Sequence, residues 1–207
     1  MLIDLSTDLP LNQPTDLLLP AELEHVFTTK QPDALLTALM PALCQVWQCE
    51  RCFLCLRDPA TTLTRITHSY CLRDDREDLI EADWVPEDDA ILNDPLMILA
   101  FQTAEAIYVE DVETADAAVV DLAYEQQVFK NRALIHAPIY VKGNLYGILE
   151  PCVFDQPRVW SEYDRWITVQ MQQRLGKWVL RYLIEQGIVS AEWEGLTRSA
   201  GRAAISG

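Results

Sequence analysis

Positive charge is scarce in this chain: 16 Lys and Arg stand against 32 Asp and Glu in 207 residues, a formal net charge of −16. Nucleic-acid affinity rests on neutralising phosphates with Lys and Arg, so this balance argues against a phosphate-backbone binder. An anionic membrane surface would repel the chain for the same reason. Long apolar runs are missing too. No stretch reaches the roughly 20 apolar residues that cross a bilayer, and the opening MLIDLSTDLP has neither the basic segment nor the continuous apolar core of a signal peptide. The expectation is a cytoplasmic protein with no membrane insertion. In that compartment Cys44, Cys49, Cys52, Cys55, Cys71 and Cys152 are expected as reduced thiols, not as a disulfide framework. Internal repeats and low-complexity blocks are also lacking.

What is present is ample apolar material, half of all residues, for one core in one domain with extensions. Residues 1–29 read as an extended arm and a short helix starting at Pro20. Residues 30–187 carry the folded domain, and 188–207 read as a flexible tail. From Gln31 to Gln48, Leu35, Leu36, Leu39, Met40, Leu43, Val46 and Trp47 recur at spacings of three and four, the period of an amphipathic helix. Pro41 lacks the N–H that the helix needs there and is expected to kink or split it. Arg51–Arg57 and Leu63–Cys71 read as an antiparallel strand pair, with Ile66, His68 and Tyr70 on one face of the second strand.

Between Asp74 and Asp94 ten residues are acidic and one, Arg76, is basic, so this segment reads as a surface excursion with docked apolar points such as Trp84. Asp94-Pro95 has the form of a helix start. A short strand at Ala106–Val109 and a helix from Ala115 towards Lys130 follow. Arg132–Phe154 then reads as a hairpin turning at Gly143-Asn144, with Pro138 and Pro151 marking expected bulges or unpaired edges. A long helix opens at Ser161, with Asp164 three residues on as a capping box, and stops at Gly187.

That order of elements carries a resemblance. Glu50-Arg51-Cys52-Phe53-Leu54, Ile107 to Val112, Arg132 to Ile139, Gly143 with Leu145 to Leu149, and Arg158-Val159-Trp160-Ser161 occur in the order found in the GAF domain, a relative of the PAS domain. The match covers roughly residues 30–185, and its style is similar to GAF proteins of photosynthetic bacteria. The resemblance implies an α/β (α+β) fold: an antiparallel sheet with the N- and C-terminal helices on one face and loops and short helices on the other. Similar proteins carry tetrapyrroles, bind cyclic nucleotides or other small ligands, reduce free methionine sulfoxide, or mediate dimerisation alone.

The chemistry of each class can be tested on residues. Covalent bilin attachment in similar domains uses a Cys followed directly by His, and no such pair occurs here. The Asn-Lys and Phe-x-x-x-Asp-Glu patterns of cyclic-nucleotide binders are missing, since Lys130-Asn131 stands in reverse order. Methionine sulfoxide reduction needs reactive cysteines in pocket loops, and residues 72–151 contain none. The run Cys49-x-x-Cys52-x-x-Cys55 imitates a metal spacing, but strand residues three apart point to opposite faces, so no metal site is expected.

Two readings remain. The first is a non-catalytic regulatory or assembly module acting through protein contacts, as a homodimer and with an unidentified protein partner, its candidate surface built on Trp47, Trp166, Trp178 and Tyr182. The second is a small-ligand sensor that holds a metabolite or tetrapyrrole non-covalently near His68, Tyr70, Trp84, Tyr108 and His136. No cofactor is assigned.

Overall fold

The computed structural model describes residues 18–190; the N-terminal arm up to residue 17 and the tail beyond residue 190 lie outside the described residues. The helices are α1 (Ala21–Val26), α2 (Pro32–Trp47), α3 (Asp89–Asn93), α4 (Pro95–Gln102), α5 (Leu122–Val128) and α6 (Glu162–Glu185). The strands are β1 (Arg51–Arg57), β2 (Leu63–Cys71), β3 (Val85–Pro86), β4 (Ile107–Val109), β5 (Ala133–Val141) and β6 (Asn144–Val153), in one antiparallel sheet ordered β3-β2-β1-β6-β5-β4. This is the expected α+β architecture. Helices α2 and α6 cover one face, and α3, α4 and α5 lie over the other.

Packing explains the helix face. Leu35, Leu36, Leu39, Leu43 and Trp47 of α2 and Ile167, Met171, Leu175 and Val179 of α6 share one core with Leu54, Leu56, Ile135 and Ile139 of the sheet. Leu23 and Val26 of α1, and Val189 beyond α6, join the same core. Residues on the outer side of the boundaries at 30 and 187 thus contribute to this core. Helix α2 continues through Pro41 as one helix, without the split expected there. Helix α6 starts with the predicted capping box. The Asp164 backbone N–H donates to Ser161 Oγ, and Asp164 Oδ2 accepts from the Ser161 backbone N–H. At its far end Gly187, with φ +71, donates its N–H to Ile184 O and terminates the helix.

Three local expectations need correction. The β5–β6 turn is Lys142-Gly143, both residues with positive φ, one residue earlier than Gly143-Asn144. Pro138 keeps a register partner in Ile148, and the ladder shift falls between Ile139 and Tyr140, next to the Pro138 carbonyl, which accepts from Gln172 Nε2 of α6; Pro151 pairs with Cys52 of β1, while the β5–β6 ladder skips it, the unpaired point expected there. The helix expected from Ala115 is confined to α5. Asp116 Oδ1 turns the chain by accepting from Ala118 N, and Asp121 starts the helix by accepting from Tyr124 N.

One irregularity decides which side chains can meet. Leu54 pairs with His68, but Cys55 pairs with Ile66, so Thr67 is an extra residue in β2. A bulge inverts the alternation, which puts Ile66 and Thr64 on the α4–α5 face and His68 and Tyr70 on the helix face.

Candidate functional site

Of the five side chains expected to border a ligand, one lines the cavity between the sheet and α3–α5. His68 lies against the helices: its Nδ1 is 2.8 Å from Thr67 Oγ1, its Nε2 is 3.3 Å from Asp33 of α2, and its ring meets Tyr182 of α6 edge-on at 5.1 Å. Burial holds its pKa below the ordinary imidazole value. Tyr70, paired with Cys52, is 38% exposed beside the same helix face. Trp84 packs against the helix-face core. Tyr108 pairs with Ile135, a helix-face core residue, and carries the Arg165 guanidinium of α6 at 4.0 Å from its ring centre. Tyr108 also borders a shallow, open depression of about 560 Å³, whose Arg158 is taken up by Gln48 O and Asp164. The bulge at Thr67 is the reason His68 and Tyr70 miss the other face.

His136 is the exception. It projects from β5 into a cavity of about 320 Å³ between the sheet and α3–α5. Sheet residues Phe53, Cys55, Thr64, Ile66, Ile148 and Glu150 form its floor. Ile91, Leu96, Met97, Tyr124, Val128 and Phe129 cover it, and the acidic loop Asp78–Glu81 closes one side. Each wall has a local cause. Asp94 caps α4 by accepting from Leu96 N and Met97 N. Phe129, just after α5, stacks on Phe53 with ring centres 5.5 Å apart and planes 4° from parallel. Glu81 hangs the loop on β2, its carboxylate accepting from Ile66 N while its own N–H donates to Ile66 O.

At the floor lies a polar chain that the sequence reading missed. His136 Nδ1 is 2.9 Å from Glu150 Oε2; Asn131 Nδ2 donates to Glu150 Oε1 at 3.2 Å; Arg51 Nη2 donates to Asn131 Oδ1 at 2.9 Å and to Phe129 O at 2.6 Å. Glu125, on α5, completes the group. Glu125 is 3% and His136 4% exposed, yet Glu125 Oε2 and His136 Nε2 have no hydrogen-bond partner in the protein. Buried polar atoms are nearly always satisfied, so two orphans lining one cavity mark a place where chemistry is unfinished.

Electrostatics follow from this crowding. Burial, reinforced by Glu150 and Asp94, pushes the Glu125 carboxyl up to about 9; burial and Asp94 push Glu150 up to about 8 against the opposing pull of Arg51. The pair therefore retains a proton at neutral pH. Burial drives His136 down to about 4, keeping its imidazole neutral. The floor thus offers a protonated carboxyl and a neutral imidazole inside apolar walls.

Sequence clues to this group existed. His136 and Glu150 sit opposite each other on adjacent strands, with Ala137 paired to Leu149 one step away. A turn at Gly143-Asn144 sets Pro151 opposite His136, and a turn at Lys142-Gly143 without the ladder shift between Ile139 and Tyr140 sets Leu149 there, so the contact depends on both. Glu125, within a segment read only for its apolar residues, gave no such signal.

The cysteines are all free thiols. Cys52 lies in the helix-face core and Cys55 in the cavity, on opposite faces as strand geometry requires. Burial raises the Cys55 thiol to about 12, and its sulfur lies 3.3 Å from Thr64 Oγ1. Among the described residues, no group of three or more His, Cys, Asp or Glu is placed to hold a metal ion, and no helix is long and apolar enough to cross a membrane.

The aromatic residues expected at a partner surface are largely internal. Trp47 is fully buried and donates its Nε1–H to Asp164 O at 3.3 Å, Trp178 is 7% exposed, and Tyr182 is buried on His68. The cause is that α2 and α6 turn their wide apolar stripes onto the same sheet and onto each other within one chain. Trp166 is partly buried and stacks on Tyr163, 40% exposed.

Comparison with known proteins agrees with the geometry. No curated protein matches the chain. The GAF domain of a phosphoenolpyruvate-protein phosphotransferase from Acinetobacter superposes with a TM-score of 0.59 at 13% identity, over 81% of this chain and 92% of that one. The GAF domain of the cyanobacteriochrome TePixJ gives 0.57 at 16%, over 76% and 94%. Free methionine-R-sulfoxide reductase from Neisseria meningitidis, solved with its substrate, gives 0.55 at 13%, over 76% and 83%. These likenesses concern the fold. The family model for the GAF domain matches residues 31–177, the whole span from α2 through the cavity-bearing sheet and into α6, and the chain belongs to the GAF domain family.

Proposed function

We propose that this protein is a non-catalytic sensor whose cavity between the sheet and α4–α5 holds a small ligand. The observation that carries the reading is the pair of partnerless buried atoms, Glu125 Oε2 and His136 Nε2, in one apolar-walled cavity. At about 320 Å³ the cavity suits a compact molecule, near the lower end of the usual range for ligand pockets. A tetrapyrrole does not fit these residues: the lining contains no Lys or Arg for its carboxylates. Thiol catalysis is not part of the proposal either, because the one lining cysteine, Cys55, is protonated throughout the physiological range.

Assembly through protein contacts becomes the second reading. Trp47, Trp178 and Tyr182 serve the chain's own core, which leaves the Tyr163–Trp166 stack on α6 as the remaining aromatic contact for a homodimer or another partner. A cytoplasmic setting belongs to both readings.

Native mass spectrometry separates them. The sensor reading expects a mass above that of the bare chain, released on denaturation and missing from a Met97→Trp variant, whose indole fills the cavity from its cover. A bare chain in the wild type, or ligand retained by Met97→Trp, contradicts it; a bare dimer favours assembly.

A further inference from the structure

The walls and floor of the cavity carry information about the ligand's charge, given the sensor reading on which this inference rests. Asp78, Glu81, Asp94, Glu125 and Glu150 line the cavity, and no Lys or Arg does. Arg51 lies outside this lining, on the Phe53 side of β1, where Phe129 O and Asn131 Oδ1 take up its Nη2 and the Phe154 ring centre is 4.8 Å away, with its Nε buried and unpartnered. A phosphate or carboxylate entering here would meet carboxyls and no cation. A cation would meet the orphan oxygen of Glu125.

We infer that the cavity binds a compact organic cation, an amine or amidine on an apolar body, with its charged head on Glu125 and Glu150 and its body against Phe53, Ile66 and Ile148. Aromatic and aliphatic walls suit the body. The head supplies donors to carboxyl oxygens, and hydrogen bonds between charged groups in a water-poor site are the strong ones.

Binding is then coupled to a proton. The groups facing Glu125 are Tyr124 on its own helix, Glu150 on β6, His136 on β5, Asp94 at the start of α4, and Arg51 and Cys55 on β1, with Asp78 and Glu81 at the side. Without a cation, crowding and burial keep a proton on the Glu125–Glu150 pair. An arriving cation stabilises the carboxylate, the O–H bond breaks, and the proton leaves to solvent as the ion pair forms.

Three flat probes of one size test this on the full chain: benzamidinium, the neutral benzamide and the anionic benzoate, each titrated by calorimetry at pH 7. Benzamidinium is expected to bind about 10- to 100-fold tighter than benzamide, as charged hydrogen bonds imply, with benzoate the weakest. Heats in two buffers of different ionisation enthalpy should report proton release for benzamidinium and none for benzamide. Glu125→Gln should weaken benzamidinium by about 10-fold or more and change benzamide far less. The ranking in the wild type stands independently of how that variant folds. Equal or tighter binding of benzamide or benzoate overturns the cation assignment and leaves the sensor reading intact. Failure of all three probes overturns the cation assignment too, and the native mass measurement then decides the sensor reading separately.

Discussion

Unfolding free energy should fall as pH rises from about 6.5 to about 8, by about 1.4 kcal/mol per pH unit for each proton that the Glu125–Glu150 pair retains, or about 2–4 kcal/mol across the window. The sign follows from proton counts. In the unfolded chain both carboxyls titrate near 4.5, whereas in the folded chain both are pushed upward. Between those limits the folded state binds more protons, so raising the pH favours unfolding. The contribution is fully present below the unfolded value and is lost as pH climbs through the folded ones. His68 and His136 work the other way. Their folded pKa values are depressed below 6.5, so their contribution is lost as pH falls below that value. Below about pH 6.5 the two contributions oppose each other, and above it only the loss from the carboxyl pair remains. Buried thiols and phenols add their own losses only at more alkaline pH. Urea denaturation at a series of pH values measures the slope, and Glu125→Gln with Glu150→Gln in one chain should flatten it. A slope unchanged in that variant would place the titrating groups elsewhere.

Glu87→Ala should destabilise the fold by about 3–5 kcal/mol, because it leaves a buried guanidinium without its counter-charge. Glu87 Oε1 and Oε2 accept from Arg57 Nε at 2.6 Å and Nη2 at 3.0 Å, and both residues are buried. Arg57 keeps its bond to Leu145 O at 3.2 Å and its position 5.0 Å from the Phe101 ring centre of α4. Neither contact neutralises the charge. The pair fastens the end of the acidic segment to β1 just before α3 and α4 begin, so its loss should also loosen the cavity's cover. Chemical denaturation of Glu87→Ala, compared with the joint replacement Arg57→Met and Glu87→Leu, tests the cause. The joint variant should recover most of the loss, since removing both charges removes the stranded one. Equal destabilisation in both would mean that packing, not charge, sets the effect.

Much of the fold was legible because its signals are local. The 3.6-residue period of α2, the Asp94-Pro95 start of α4, the Ser161–Asp164 capping box and the Gly187 stop each depend on a few adjacent residues. The site was less legible because it depends on register. One extra residue at Thr67 carries His68 to the helix side, and the Lys142-Gly143 turn together with the ladder shift between Ile139 and Tyr140 brings Glu150 opposite His136. Trp47 and Trp178 posed a different problem. A wide apolar stripe is the same in sequence whether it faces the chain's own sheet or a second copy, and only the packing of α2 and α6 on one sheet distinguishes the two.

The placement of binding chemistry on the Glu125–His136 side of the sheet, away from the helix side, is tested most directly by amide and methyl chemical shifts during a benzamidinium titration. The account predicts saturable shifts at Phe53, Glu125, His136 and Ile148, with His68 and Tyr182 unmoved. Shifts centred on His68, Trp84 or Tyr108, with Glu125 and His136 silent, would contradict it.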